Sequence, residues 1–342
     1  MRKKEYTLVN KILGKRRIND KMSIRILGTG SYLPETIVTN DDLAKVMDTS
    51  DEWIASRTGI RARHISVDDT TSGMAVKAAK EALKESGVAP EELDCIFFAT
   101  LSGDRATPNG ACDVQKAIGA KNAVCMDLNA ACSGFVYALT TAIAYAKAGM
   151  AKKMLVIGVE TLSKIVDWSD RSSCVLFGDG AGCAVVEADD SREVFIDYGS
   201  NGKLGEALTC GERKLNNLLV ENHEPLEQVF MDGQEVYRFA VKTVPKTIEN
   251  VLEKAGVSKD EIKYYVLHQA NKRIIDSAAK RLKLDIEKFP MNLDRCSNTS
   301  SASVPILLDE INKKGMLERG DKIWRRSDLG NNLFRMVRNS RR

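Results

Sequence analysis

Apolar residues recur along this chain with two periods. Continuous runs of strand length occur at 93–100 ("LDCIFFAT"), 123–128 ("AVCMDL"), 153–160 ("KMLVIGVE") and 264–269 ("YYVLHQ"). They alternate with stretches at 70–88, 109–120, 234–257, 272–283 and 303–315, where apolar positions return every three or four residues. Short buried strands spaced by amphipathic helices predict βα units and sheets covered on both faces. Further strands are expected at 182–188 and 194–200, and one at 23–34 that runs into a turn. The two parts of the chain also rhyme. Each has a helix ending "ESGV" or "KAGV", an acidic turn ("APEELD", "SKDEIK") and then a buried strand. Two related halves meeting near residue 193 are the expectation.

One stretch breaks the rule that charge is never far away. Residues 128–146 carry no Asp, Glu, Lys or Arg in a chain that is 29% charged. Asn129, Ser133, Thr140, Thr141 and two tyrosines make it too polar to span a bilayer. Phe135, Leu139, Ala142, Ile143 and Ala146 fall at helical spacing, so the stretch reads as a helix buried nearly all round.

Composition narrows the class. A chain of 342 residues can bury a sizeable core. Its net charge of +4 is unevenly divided. Residues 1–21 hold eight Lys or Arg against two acids, and residues 325–342 hold six Arg against one Asp. The body between is near −7, so a nucleic-acid-binding surface has no basic body to rest on. The basic N-terminal extension lacks the apolar core of a secretory signal. The eight cysteines form no CxxC and several lie in strand-like runs, which reads as reduced thiols in a cytoplasmic protein. With three histidines in addition, no metal site is expected.

The cysteine at the start of the uncharged stretch is the best candidate for chemistry. Free cysteine is usually buried filler. Cys132, however, follows a strand and an "NAA" turn and precedes Ser133 and Gly134, which puts its thiol at a helix N-terminus. Unpaired N–H groups there favour thiolate. Of the histidines, His64 and His223 lie in polar stretches and read as structural, whereas His268 ends an apolar strand. Asn298 lies in a small polar loop before a helix, "CSNTSSASVP", where a capping role is the plainer reading. "GTGSYLP" and "FGDGAG" read as turns, because Pro34 replaces the helix opening of a dinucleotide fingerprint and no GK[ST] follows the second.

Together, "AACSGF", "FGDGAG", "HQAN" and "SNTSSASVP", in this order, resemble the thiolase superfamily, and more narrowly the β-ketoacyl-acyl-carrier-protein synthase III family. "LGTGSYLPE" and "TSDEWIASRTGIRARH" fit the same pattern, and the resemblance runs from about residue 22 to 323. It implies a thiolase-like duplicated α/β fold, layered α-β-α-β-α around a buried nucleophile helix, with halves at 22–193 and 194–324. It implies a condensing acyltransferase that joins an acyl-coenzyme A primer to malonyl-acyl-carrier-protein with loss of CO2, using no cofactor. Carried over by motif, Cys132 is the acylated nucleophile, and His268 and Asn298 complete the triad. Trp53, Arg57, Arg171 and Asn271 match positions that line the coenzyme A channel. Arg238, Arg273, Lys280 and Arg281 fall on helices that receive the acyl carrier protein. A homodimer is implied, without nucleic-acid or membrane partners.

Two departures from the family pattern stand out. Thr107 takes the place of a bulky aromatic that closes the partner's acyl pocket, so tolerance of primers longer than acetyl is expected. After residue 323 the family's strand, glycine-rich loop and last strand are replaced by "WRRSDLGNNLFRMVRNSRR". Without strand alternation or a glycine cluster, residues 325–342 read as an atypical tail, the product of a shifted reading frame. Two rival readings follow. One is the same fold acting on another acceptor in secondary metabolism or as a hydroxymethylglutaryl-coenzyme A synthase, although the nearest acid, Asp127, is five residues from Cys132. The other is an impaired, non-catalytic homologue produced by the altered tail.

Overall fold

The computed structural model describes residues 22–191, 194–211, 214–318, 322–327 and 330–335. The N-terminal extension, residue 193 and the tail beyond 335 lie outside these.

Five strands form the first sheet, in the spatial order Ser23–Tyr32, Asp179–Asp189, Lys153–Thr161, Cys95–Ala99 and Val124–Leu128. The first three pair antiparallel and the last three parallel. The second sheet runs Tyr264–Leu267, Lys322–Ser327, Gly330–Arg335 and Phe195–Tyr198. Helices Gly134–Lys147 and Ser303–Lys313 pack against both sheets and form the middle layer. Helices Thr71–Ser86 and Gly110–Ile118 cover the outer face of the first sheet, and Gly233–Ala255 with Lys272–Leu282 that of the second. The layering α-β-α-β-α is therefore as expected. The core of the middle layer joins Phe135, Leu139 and Ile143 to Leu307, Ile311 and Val156.

Local chemistry fixes where these elements begin and end. The Thr70 hydroxyl accepts from Gly73 N at 3.0 Å and caps the helix Thr71–Ser86, which stops at Gly87 with φ +69°. That left-handed position is one that glycine takes without strain.

Three expectations need correction. The "GTGS" segment is not a turn but part of the strand Ser23–Tyr32, and a Cβ on Gly30 would collide with Ala78 O and approach Ala82 N to 2.6 Å. Glycine is there so that a helix can lie directly on the strand. The helix Gly134–Lys147 is buried on most sides, but Tyr137, Thr140 and Thr141 are half-buried and Ala144 is exposed. Finally, the chain after 321 does not abandon the sheet. Lys322–Ser327 pairs parallel with Tyr264–Leu267 and antiparallel with Gly330–Arg335, which in turn pairs with Phe195–Tyr198. Sheet pairing runs through the backbone, and the register sets Ile323 opposite Phe334 and Trp324 opposite Leu333, residue types that favour strands without any alternation.

Candidate active site

The strand Val124–Leu128 ends beside its parallel neighbour Cys95–Ala99, and the chain then turns through Asn129 and Ala130. Ala131–Ser133 forms one tight helical turn, and the buried helix starts at Gly134. Ala131 has φ +44°, an uncommon position for a residue with a side chain, and Ser300 has φ +45°. The turn Ala131–Ser133 packs against the turn Ser300–Ala302, so two strained segments meet at Cys132. Strain of this kind persists only where the surrounding structure dictates it, and it gathers at active sites.

Cys132 opens onto two cavities. One, of about 610 Å³, has an apolar part of its wall that includes Leu162, Ile165, Phe177 and Val229 and a polar part that includes Lys164 and Glu227, with Ser300 beside Cys132. The other, of about 260 Å³, lies under Leu204, Val236 and Phe239. Ala131, Cys132 and Leu208 belong to both. Space for an apolar chain thus begins at the sulfur.

His268 directly follows the strand Tyr264–Leu267 and is 5% exposed. Its Nδ1 lies 2.6 Å from Ser303 Oγ. Asn298, 7% exposed, is held by its backbone: its N–H donates to Leu176 O at 3.0 Å and its carbonyl accepts from Gly178 N at 3.1 Å. Its Oδ1 accepts from Ser300 N at 2.8 Å, which fixes the amide orientation and leaves Nδ2 as its donor. Ser303 Oγ donates to Ser300 O at 3.0 Å. Ser300 therefore links Asn298 and, through Ser303, His268 to the cavity that Cys132 shares. "FGDGAG" is structural, as a turn reading implied, but most of it is strand. A Cβ on Gly178 would collide with Ser297 Oγ and lie 3.1 Å from Arg63 Cβ.

Behind the cavity lies a carboxylate that the sequence reading passed over. Glu160 is fully buried, and its Oε2 accepts from Leu101 N and Ser102 N at 3.1 Å and from Thr100 Oγ1 at 3.0 Å. Burial pushes its carboxyl up, while the bonds from Ser102, Ser301, Leu101 and Thr100 act the other way. It anchors residues 100–102, two of which line the cavity. A lone acid inside the apolar run "KMLVIGVE" was the available signal, since such a residue is seldom buried without partners. Ser300 and Ser303 were visible only as part of a serine-rich loop.

The four residues assigned to coenzyme A form one cluster. The Arg57 guanidinium lies 4.6 Å from the centre of the Trp53 ring and that of Arg171 5.4 Å from it. Asn271 caps the helix Lys272–Leu282 and donates through Nδ2 to Arg57 O at 3.1 Å. Of the four basic residues assigned to a carrier protein, Arg273 sits 5.2 Å from the ring of Tyr237, the residue before Arg238, which is itself paired with Glu235. Arg281 donates to Val241 O at 2.8 Å, and Lys280 is exposed. Thr107 is exposed and lines neither cavity of its own chain. His64 is held to Pro34 O at 2.6 Å and the exposed His223 lies 2.9 Å from Glu221, apart from the cysteine.

The family model for 3-oxoacyl-[acyl-carrier-protein] synthase III matches residues 126–219, and the model of its C-terminal part matches 252–326. A β-ketoacyl-[acyl-carrier-protein] synthase III of Clostridium acetobutylicum is 49% identical over 303 residues, covering 88% of this chain and 93% of that protein. The chain belongs to the synthase III family. The corresponding enzyme of Clostridium botulinum strain 657 is 50% identical over 305 residues, with the same coverage. The crystal structure of the Aquifex aeolicus synthase III superposes with a TM-score of 0.83 at 43% identity, covering 91% of this chain and 98% of that one. Family, thiolase-type fold and condensing-enzyme class are thus as the motifs implied. The relatives do not favour a different acceptor. The C-terminal match stops at 326, close to where the sequence departs from the family pattern.

Proposed function

We propose that this protein starts fatty-acid synthesis by joining an acyl-coenzyme A primer to malonyl-acyl-carrier-protein, with release of CO2 and formation of 3-oxoacyl-carrier-protein. The observation that carries the reading is the position of Cys132: on a strained turn, at the head of a buried helix, opening on a partly apolar cavity that Ser300 shares. The Cys132 thiolate attacks the primer thioester, the acyl group passes to sulfur, and coenzyme A leaves as the thiol. Malonyl thioester then loses CO2, and the negative charge left on its thioester oxygen is met by the Asn298 Nδ2–H and the His268 imidazole. The resulting carbanion attacks the acyl-Cys132 carbonyl, and the sulfur is released.

Trp53 offers a flat face for the adenine of coenzyme A, and Arg57 and Arg171 offer charge for its phosphates. Arg238, Arg273, Lys280 and Arg281 give a local basic rim on an acidic body, suited to an acidic carrier protein. A homodimer is supported by the edge strand Val124–Leu128, which is half-buried, with Val124 58% exposed. An apolar unpaired edge invites pairing with a second copy. All eight cysteines are thiols, in keeping with a reducing, cytoplasmic setting. No metal or redox cofactor enters these steps.

Intact mass after incubation with acetyl-coenzyme A tests the reading. One acetyl group is expected on the parent and none on Cys132→Ala. Decanoyl-coenzyme A tests the small residue at 107, with transfer comparable to acetyl expected. A parent that takes neither group overturns the acyl-transfer reading.

A further inference from the structure

Ser303 is 2% exposed, and its hydroxyl touches three polar groups. Ser300 O, at 3.0 Å, can only accept; Gln269 N, at 3.4 Å, can only donate; His268 Nδ1, at 2.6 Å, can do either. A hydroxyl has one proton and two lone pairs. If its proton went to Nδ1, two oxygens would stand 3.0 Å apart with no hydrogen between them. If the proton goes to Ser300 O, both lone pairs are used, one by Gln269 N–H and one by a proton on Nδ1. The second arrangement satisfies every group.

We infer that Ser303 is a positioning residue for Cys132 acylation: it holds His268 with the proton on Nδ1 and the lone pair on Nε2, and it stabilises the imidazolium that forms when the thiol gives up its proton. The inference rests on Cys132 being the acyl-carrying nucleophile. The proton count closes. The Cys132 S–H proton moves to Nε2, leaving thiolate and an imidazolium whose Nδ1–H donates to Ser303 Oγ. Sulfur bonds to the thioester carbonyl carbon, the bond to the coenzyme A sulfur breaks, and that sulfur takes a proton from solvent, so the imidazolium keeps its Nε2–H to meet the malonyl oxygen in the next step. Ser303 exchanges no proton. It acts through the ring, because the bond at one imidazole nitrogen decides what the other presents. The role parallels that of a buried carboxylate behind a catalytic histidine, without a full negative charge. Other titratable groups about the cavities are Lys164, Cys210, Glu227 and Glu235, with Glu160 buried behind them.

Alkylation of Cys132 by iodoacetamide, followed against pH by peptide mass, tests this without any thioester. Burial pushes the thiols of Cys95, Cys125 and Cys296 up to about 11, 12 and 12, so they stay quiet near neutrality. Ser303→Ala is expected to slow alkylation about tenfold at pH 7 and to move its profile to the alkaline side. Ser303→Thr, which keeps the oxygen, is expected to restore most of the rate. A Ser303→Ala profile that superposes on the parent's, or moves to the acid side, overturns the inference. Nitrogen NMR of the imidazoles in the parent, with His268→Gln for assignment, needs no folded Ser303 variant. A neutral His268 ring protonated on Nδ1 supports the role, and one protonated on Nε2 overturns it. A parent whose Cys132 follows the expected profile yet takes no acyl group overturns the acyl-transfer reading alone.

Discussion

The Ser300 backbone N–H donates to Asn298 Oδ1 at 2.8 Å, and this one bond sets which end of the amide is a donor. Replacing Asn298 by Asp keeps the acceptor but puts a second oxygen where Nδ2 stands. Malonyl decarboxylation is expected to fall about 100- to 1000-fold, the usual consequence of losing one such donor. Acetylation of Cys132, which does not need that donor, is expected to persist. Single-turnover mass spectrometry and CO2 release, measured side by side, separate the two steps.

Two guanidiniums, those of Arg57 and Arg171, lie 4.6 and 5.4 Å from the centre of the Trp53 ring. Truncation to Ala removes a stacking face remote from the sulfur. It is expected to raise the KM for acetyl-coenzyme A about tenfold and leave kcat within a factor of two, the signature of lost uniform binding. Initial-rate kinetics decide it, and a fall in kcat with unchanged KM would place Trp53 elsewhere.

Gly178 has no room for a methyl group, since Ser297 Oγ and Arg63 Cβ crowd the place where one would stand. Because Gly178 N holds the Asn298 carbonyl at 3.1 Å, Gly178→Ala shifts the very loop that carries Asn298. We expect a destabilisation of about 1–3 kcal/mol, as for other overpacked sites. The loss of condensing rate should exceed what the unfolded fraction explains. Urea titration and activity on the same samples test both parts.

Acid is expected to loosen that loop from its other side. Burial alone would raise the Glu310 carboxyl, but bonds from Arg295, Lys314 and Asn292 outweigh it and bring it from 4.5 down to about 2. A carboxyl lowered by folding contributes stability that is complete above its ordinary value and lost as pH falls through the lowered one. Glu310→Gln is therefore expected to be less stable than the parent at pH 7 and to lose the difference as pH falls from about 4.5 toward 2. Urea midpoints across that range check the sign.

Much of this was open to a reader of the chain. Runs such as "CIFFAT" and "KMLVIGVE" show their burial because both faces of a strand between helix layers are apolar. Cys132, His268 and Asn298 stood out because each sits where an element begins or ends. What stayed hidden depends on partners far along the chain. Gly30 reads as a turn until the helix Thr71–Ser86 is laid on it, and Glu160 reads as an oddity until residues 100–102 arrive with their N–H groups. The same holds after residue 321, where no alternation betrays a strand and the edges of Tyr264–Leu267 and Phe195–Tyr198 supply the ladders. Ser303 is one serine among many until its three neighbours are counted.

The middle layer joins Cys132 and Ser303 in one further way. Cys132 heads the helix Gly134–Lys147, Ser303 opens the helix Ser303–Lys313, and each of these helices is packed between both sheets. Neither half of the chain can melt and leave the other with a covered face. The molecule therefore has the makings of a single cooperative unit, despite its duplicated plan. Heat should abolish any thioester chemistry and melt the sheets at the same temperature, because Cys132 and Ser303 have no way to part while the layer that carries them stands.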